Sequence, residues 1–275
     1  MPFLGNVLRT FTSKASEGSV LYRIAPMPEL YNDLNSIREI EKKGIIYKLD
    51  LSDLMDWWFY WGFKDEAHEF LFTKIKPGNI VVDVGANKCI LTSLFSDKVT
   101  KKGKVYSFEA NPDSYLKSRS LIAKNSERLN NCVLIGKACG STYSTMQIAR
   151  TAKNNTGMDR LVSIDSTEGL GNNVEVVRLD RELENLESID LIKIDTEGFE
   201  LEVLKGAKEI LEKFKPKLFV ELDKQNLDRY NANFEQVIEF LKPFGYSFYN
   251  VQSSMYFNSE VELGENFHFD CYCEI

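Results

Sequence analysis

The chain has no basic excess. Across 275 residues, 34 lysines and arginines face 41 aspartates and glutamates, a formal charge of −7. Affinity for nucleic acid rests largely on Lys and Arg neutralising phosphates, so nucleic acid is not expected as the main partner. Long apolar runs are missing too. No stretch approaches the roughly 18 uninterrupted apolar residues of a membrane span, and none is expected. Met1 to Val20 mixes Arg9, Lys14 and Glu17 with small residues and lacks the continuous apolar centre of a secretory signal. Five cysteines (Cys89, Cys132, Cys139, Cys271, Cys273) are too few and too scattered for a disulfide framework. Their odd number suits a reducing compartment, so a soluble cytoplasmic protein is expected. There is no internal repeat and no low-complexity tract.

What is present is an ordinary globular composition, 43% apolar and 27% charged. Its rhythm changes partway along. Residues 1–64 are irregular and read as an N-terminal extension. A helix is expected from Pro28 to Lys43, closed by Gly44, then a short strand-like run at Ile45–Leu51 and the aromatic cluster Trp57–Trp61. From residue 65 to 275 the pattern is that of one domain. A helix over Asp65–Ile75 stops at Lys76-Pro77-Gly78-Asn79, where proline disfavours helix at the residue before it and glycine tolerates the turn. Apolar runs follow at Ile80–Val84, Lys104–Glu109, Cys132–Ile135, Leu191–Asp195 and Leu218–Leu222. Such runs suit strands buried on both faces. Helical patterns lie between several of them, the clearest over Glu197–Phe214. This alternation implies an α/β fold with a mostly parallel sheet. The strand-like runs Ser247–Val251 and Phe267–Ile275 read as an antiparallel hairpin closing one edge.

In open α/β sheets ligands bind beyond the carboxyl ends of the strands. The first strand of the regular region ends in Asp83-Val84-Gly85-Ala86-Asn87-Lys88-Cys89. Gly85 can adopt a tight turn and let a ligand approach the main chain. The second strand ends at Glu109, ahead of Ala110-Asn111-Pro112. An acid there can accept hydrogen bonds from ribose hydroxyls, which points to an adenosine-containing cofactor. A dinucleotide fold wants G-x-G-x-x-G to cradle pyrophosphate, and that pattern is lacking. Asp83, two residues before the glycine, would repel pyrophosphate but could serve an ammonium group. S-adenosylmethionine carries an ammonium and a sulfonium and no phosphate, so the sign of the charge favours it.

The most distinctive stretch is Ile192-Lys193-Ile194-Asp195-Thr196-Glu197-Gly198-Phe199-Glu200, a buried strand that ends in acids and a glycine and enters a helix. Thr196 is expected to cap that helix, with Glu197 and Glu200 at the positive end of its dipole. That local role explains Glu200, but not Asp195 at the strand tip.

Together these segments resemble the FkbM family of S-adenosylmethionine-dependent methyltransferases. The matching blocks are Asp83-Val84-Gly85-Ala86-Asn87, Phe108-Glu109-Ala110-Asn111-Pro112, Ala138-Cys139-Gly140, Leu179-Asp180 and the Asp195 segment, in that order. The resemblance implies a Rossmann-like class I methyltransferase fold, with a seven-stranded sheet, a C-terminal antiparallel hairpin and an N-terminal helical extension. It implies that Glu66, Asp83, Gly85, Ala86, Asn87, Glu109, Ala110, Asn111, Ala138 and Asp195 hold the cofactor. Asp195 and Glu197 are the candidates to orient the acceptor or take its proton. The expected reaction is O-methylation of a small molecule or glycan. The family has glycine where Cys89 stands, and a side chain there is expected to crowd the loop beside the methionine moiety.

Other features receive simpler readings. The Trp57–Trp61 cluster serves either as an acceptor wall or, preferably, as an anchor for the extension. His68 and His268 read as surface histidines, with His268 near enough to the cleft rim to act as a base. Cys271 and Cys273 read as small core residues. Asp195, Glu197 and Glu221 could hold Mg²⁺, a reading ranked below a metal-free site. An NAD(P)-dependent enzyme and a non-catalytic cofactor-binding scaffold are the alternative functions.

Overall fold

The computed structural model describes residues 25–31, 36–152, 155–257 and 266–275, so the reading of residues 1–20 falls outside it. The first element pair is a hairpin where a helix was expected. β1 (Ile37–Lys42) and β2 (Ile45–Asp50) pair antiparallel, with Lys42 opposite Ile45. Lys43 and Gly44 between them have φ of 53° and 75°, as a two-residue type I′ turn requires. The helix expected over Pro28–Lys43 is therefore corrected. Its described residues form a 3₁₀ turn (Pro28–Tyr31) and β1, while residues 32–35 lie outside the description. A glycine that can end a helix serves equally as the second residue of a hairpin turn.

The aromatic cluster lies on α1 (Leu54–Trp61). Asp53 caps its start and Gly62, with φ of 77°, ends it. Trp57 is fully buried, and its ring nitrogen donates to Pro26 O at 2.6 Å. With Tyr47, Trp61, Phe63 and Leu129 it forms the core that anchors this N-terminal region. Trp58 and Phe59 pack at the margin of that core.

The regular region follows with α2 (Glu66–Lys74), β3 (Ile80–Val84), α3 (Ile90–Val99), β4 (Lys104–Phe108), α4 (Pro112–Lys124) and β5 (Cys132–Ile135). Next come β6 (Ala138–Cys139), β7 (Ser144–Ala149), β8 (Arg160–Ser163) and β9 (Gly169–Val177), which form a separate four-stranded sheet in the order β6-β9-β7-β8. The chain returns through α5 (Leu179–Glu182), β10 (Leu191–Ile194), α6 (Glu200–Gly206), α7 (Lys208–Phe214), β11 (Lys217–Asp223), α8 (Lys224–Asp228) and α9 (Phe234–Leu241). It closes with β12 (Ser247–Asn250), β13 (Met255–Phe257) and β14 (His268–Glu274).

The main sheet has the order β13-β12-β14-β11-β10-β3-β4-β5. The strands from β11 to β5 run parallel, while β14, β12 and β13 are antiparallel additions. Among the described residues the sheet has eight strands where seven were expected. The extra one, β13, is three residues long and too short to leave a periodic signal. Alternate residues bury opposite faces: Val82, Ile192 and Val220 in one core, Val81, Leu191 and Phe219 in the other. Leu201, Leu204, Leu211, Val237 and Leu241 cover the first face, and Leu71, Phe95 and Val99 the second. The helix expected over Glu197–Phe214 is two short helices, beginning at Glu200 and breaking at Ala207. Among the described residues, no helix is long and apolar enough to cross a membrane.

Candidate active site

Strand register brings the site together. Val84 pairs with Phe108 on one side and Ile194 on the other, and Ile194 pairs with Val220. Gly85, Glu109, Asp195 and Glu221 therefore emerge side by side at one edge of the sheet. The chain runs outward from β3 to β5 and resumes on the other side at β10, so the reversal point lies between β3 and β10. Crevices in open sheets form at such points. A cavity of about 980 Å³ sits there.

Gly85 has φ of 78°, and a Cβ on it would lie 1.8 Å from the Asp195 carbonyl oxygen. Only glycine lets the two strand tips approach this closely. The amides of Gly85 and Ala86 donate to Phe108 O at 3.1 and 3.0 Å. Glu109 completes the loop: its carboxylate accepts from Asn87 N at 2.6 Å and Asn111 N at 2.7 Å. Burial pushes this carboxyl up to about 8, against those two amide bonds. Asn111 caps α4 through Asp113 N. Gly85, Ala86, Asn87, Glu109, Ala110, Asn111 and Ala138 all line the cavity, as does Asp195.

Asp83 does not line it. It is fully buried one layer behind, 3.7 Å from Lys193 Nζ and accepting from Thr92 Oγ1 at 2.6 Å. The expected contact with an ammonium group is corrected: the ammonium that Asp83 meets belongs to the protein. Lys193 Nζ also donates to Gly85 O at 3.1 Å and Asp195 Oδ2 at 2.9 Å. Burial alone would lower the Lys193 pKa, but Asp195 and Asp83 hold it above its ordinary value.

On the far side of the glycine loop the wall is acidic. One oxygen from each of Asp195, Glu197 and Glu221 lies within 4.8 Å of the others. Burial acts to raise Asp195, yet Lys193 and a hydrogen bond with Glu221 bring it below the usual carboxylate range. Asp195 in turn, and then burial, hold Glu221 well above that range. Burial, Asp195 and Glu200 push Glu197 up to about 8. Asn226 Nδ2 donates to Glu197 at 2.8 Å, fixing its direction. Glu200 sits beneath this turn. Its Oε1 accepts from Thr196 N, Thr196 Oγ1 and Gly198 N at 2.9–3.0 Å. The expected capping is thus reversed: Glu200 braces the loop, and Thr196 does not cap the helix. His268 is exposed at the rim, its Nε2 3.1 Å from Glu221.

Two contributions come from outside the strand tips. Lys88, in the glycine loop, is buried with its Nζ 2.6 Å from Asp53 and 3.0 Å from Asp56. Asp53 Oδ2 also accepts from Thr156 N and Oγ1 at 3.2 and 3.0 Å. The loop is thereby tied both to the N-terminal region and to the inserted sheet. Asp159 lines the cavity beyond Asn111, whose side-chain amide donates to it at 2.7 Å. Sequence reading singled out none of Lys88, Asp53, Asp56, Thr156 or Asp159, because each acts through partners far along the chain.

Two further expectations change. Glu66 is exposed and does not line the cavity; its neighbours Asp65, His68 and Glu69 do. Cys89 has φ of 56°, a glycine-like conformation, but its side chain is fully buried and lies off the cavity wall. Burial pushes its thiol up to about 12. The thiol expected to crowd the loop at the ligand is thus not part of the cavity lining. Trp58, Phe59 and Phe63 add aromatic wall from the N-terminal region, so the cluster both anchors and lines.

Comparison with known families gives a match to the methyltransferase FkbM domain over residues 83–248. No curated protein matches the chain. Among solved structures, the precorrin-6y C5,15-methyltransferase of Geobacter metallireducens GS-15 is 13% identical, with 77% of this chain and 90% of that chain covered and a TM-score of 0.45. The methyltransferase FkbM of Methylobacillus flagellatus KT is 14% identical over 78% of this chain and 52% of that chain, also with a TM-score of 0.45. The Aeropyrum pernix fibrillarin, solved with natively bound S-adenosyl-L-methionine, is 12% identical over 88% and 84%, with a TM-score of 0.45.

Proposed function

The chain belongs to the FkbM methyltransferase family, and from that premise we propose that it methylates a hydroxyl oxygen of a small molecule or glycan. The cofactor is S-adenosylmethionine, which supplies the sulfonium methyl group. The observation that carries the reading is the close approach at Gly85 beside the doubly amide-bonded Glu109, at the reversal point of the sheet. A cradle that any Cβ would fill, next to an acid with lone pairs to spare, fits a ribose-bearing ligand. The acidic wall fits a cationic cofactor and would repel pyrophosphate.

In this reading residues 65–275 carry the methyltransferase domain, and residues 1–64 are an extension, of which Trp58, Phe59 and Phe63 add wall to its cavity. Glu109 accepts from the ribose hydroxyls, while Gly85, Ala86, Asn87, Ala110, Asn111 and Ala138 shape the rest of the cofactor's bed. Lys193 holds the glycine loop and Asp195 in one arrangement. Asp195, kept ionised, orients the acceptor hydroxyl. Glu197, with its carboxyl at about 8, takes the proton once ionised, since a base with a pKa near the working pH is the more effective one. The rings of Trp58, Phe59 and Phe63 suit a flat or ring-shaped acceptor. Alignment and exclusion of water account for most of the rate in such a displacement.

Calorimetric titration of S-adenosylhomocysteine tests the cofactor side. The parent chain is expected to bind, and Glu109→Ala to lose about 1.5–3 kcal/mol at about pH 9, where Glu109 is ionised, the value of a hydrogen bond to a charged group. A folded Glu109→Ala with parental affinity would remove Glu109 from the site. Assays with labelled S-adenosylmethionine across sugars and aromatic polyols test the acceptor side, and transfer only to nitrogen or carbon would overturn O-methylation.

A further inference from the structure

Asp159 is a buried acid with one oxygen left over. It follows a single 3₁₀ turn, Thr156–Met158, that hangs from the inserted sheet over the cavity. Its side chain is only 2% exposed. Oδ2 is occupied, accepting from Asn111 Nδ2 at 2.7 Å with Arg150 Nε at 3.7 Å. Oδ1 has no hydrogen-bond partner among the described residues. Buried carboxylate oxygens are rarely left unpaired, because desolvation without a donor is costly. The residue lines the cavity, so the missing donor would come from what the cavity holds.

The surroundings describe that donor. Ala110, Ala138, Ile148 and Leu161 line the same part of the cavity, and Ala138, Ile148 and Leu161 are themselves nearly fully buried. These side chains pack in one cluster and give this part of the wall an apolar face, against which a flat ring can lie. Asn111 joins this face to the ribose acid: its main-chain amide donates to Glu109 and its side-chain amide to Asp159. A ligand with its sugar on Glu109 therefore extends its base toward Asp159. Because Oδ1 is an acceptor and Oδ2 is taken, the base edge presented there must be a donor. Among purines, adenine offers an exocyclic amine at that edge and hypoxanthine a keto oxygen.

We infer that Asp159 Oδ1 accepts a hydrogen bond from the exocyclic amine of the cofactor's adenine, so that the inserted sheet supplies base specificity while the main sheet supplies the ribose contact. This rests on the S-adenosylmethionine reading above. It assigns a role to the 138–177 insertion beyond covering the cleft.

Titration of the full chain with S-adenosylhomocysteine and S-inosylhomocysteine, which differ in that amine, tests it. The parent is expected to bind the inosyl compound about 10- to 100-fold more weakly, the range of one charge-assisted hydrogen bond. Asp159→Asn, whose amide can donate to a keto oxygen, is expected to bring the ratio toward one, with Asn111 still bonded to its remaining carbonyl. Equal affinities in the parent would overturn the inference without any variant being needed. So would a folded Asp159→Asn with the parental ratio. If the parent bound neither compound, the cofactor reading itself would fall, and this inference with it.

Discussion

The strand tips and the parts that cover them reach the same cavity by different means. At the tips, partners are either neighbours in the chain, as Glu109 with Asn111, Lys193 with Asp195 and Glu200 with Gly198, or residues on paired strands, as Lys193 with Gly85. Their positions follow once the strands are in register. The covering parts are held by partners far apart, such as Thr156 with Asp53, 103 residues away, and Asn111 with Asp159, 48 away. The first kind of contact defines where a ligand lies. The second defines what closes over it, and depends on three separate pieces of chain being assembled.

The strongest way to break that division is at Lys88, where the two kinds meet. Lys88→Met leaves Asp53 and Asp56 buried without a counter-charge, and loss of one partner from a buried ion cluster costs about 3–5 kcal/mol. Urea unfolding is expected to show a loss of that size, largely recovered when Asp53→Asn and Asp56→Asn are added. A loss below about 1 kcal/mol would mean that the N-terminal region does not hold the loop.

A smaller effect sharpens the electrostatics of the tips. Glu109 and Glu197 both have folded pKa values of about 8, raised from 4.5. The folded state thus binds their protons more tightly than the unfolded chain. Their contribution to stability is full below about pH 4.5 and is lost as pH rises through about 8. The melting temperature should fall between pH 5 and 9, and Glu197→Gln should remove roughly 1–2 kcal/mol of the stability lost over that range, a discounted fraction of the full shift. Methyl transfer should rise over the same range as Glu197 ionises, and a rate independent of pH from 6 to 9 would remove it as the base.

The smallest effect is at Cys89. Cys89→Gly relieves a left-handed non-glycine backbone, worth about 1 kcal/mol, and gives up a buried thiol of similar value. Stability should change little. Affinity for S-adenosylhomocysteine should stay within about 0.5 kcal/mol, because the thiol is off the wall. A tenfold change would return it to the ligand.

The same division explains what was legible in the sequence. The runs that became β3, β4, β10 and β11 bury residues on both faces, so their composition alone marks them; the edge strand β5, with Val133 exposed, is marked by its short apolar run. Gly85, Glu109 and Asp195 could be placed because each directly follows such a run. The inserted sheet escaped notice: β9, with Gly169, Gly171, Asn172 and Asn173, is mostly exposed and carries turn-forming residues rather than an apolar alternation. β1 escaped because only Ile40 in it is buried. Asp83 was misread because strand position fixes which end of the sheet a residue occupies but not which face its side chain takes. Glu66 was misplaced by a single residue on a helix, where a step of one turns a side chain away from its neighbour's face. Asp159 carried no local signal at all.

The position of Lys193 has a consequence for how this site should be dissected. One ammonium answers to Asp83, to Asp195 and to the Gly85 carbonyl, so the three are thermodynamically coupled rather than independent. Asp195→Asn would then alter the glycine loop as well as the acceptor side, and a fall in turnover could not be read as the loss of one function. Double-mutant cycles pairing Asp195→Asn with Asp83→Asn are the appropriate frame, because their non-additivity measures how far the cofactor half and the acceptor half behave as one electrostatic unit.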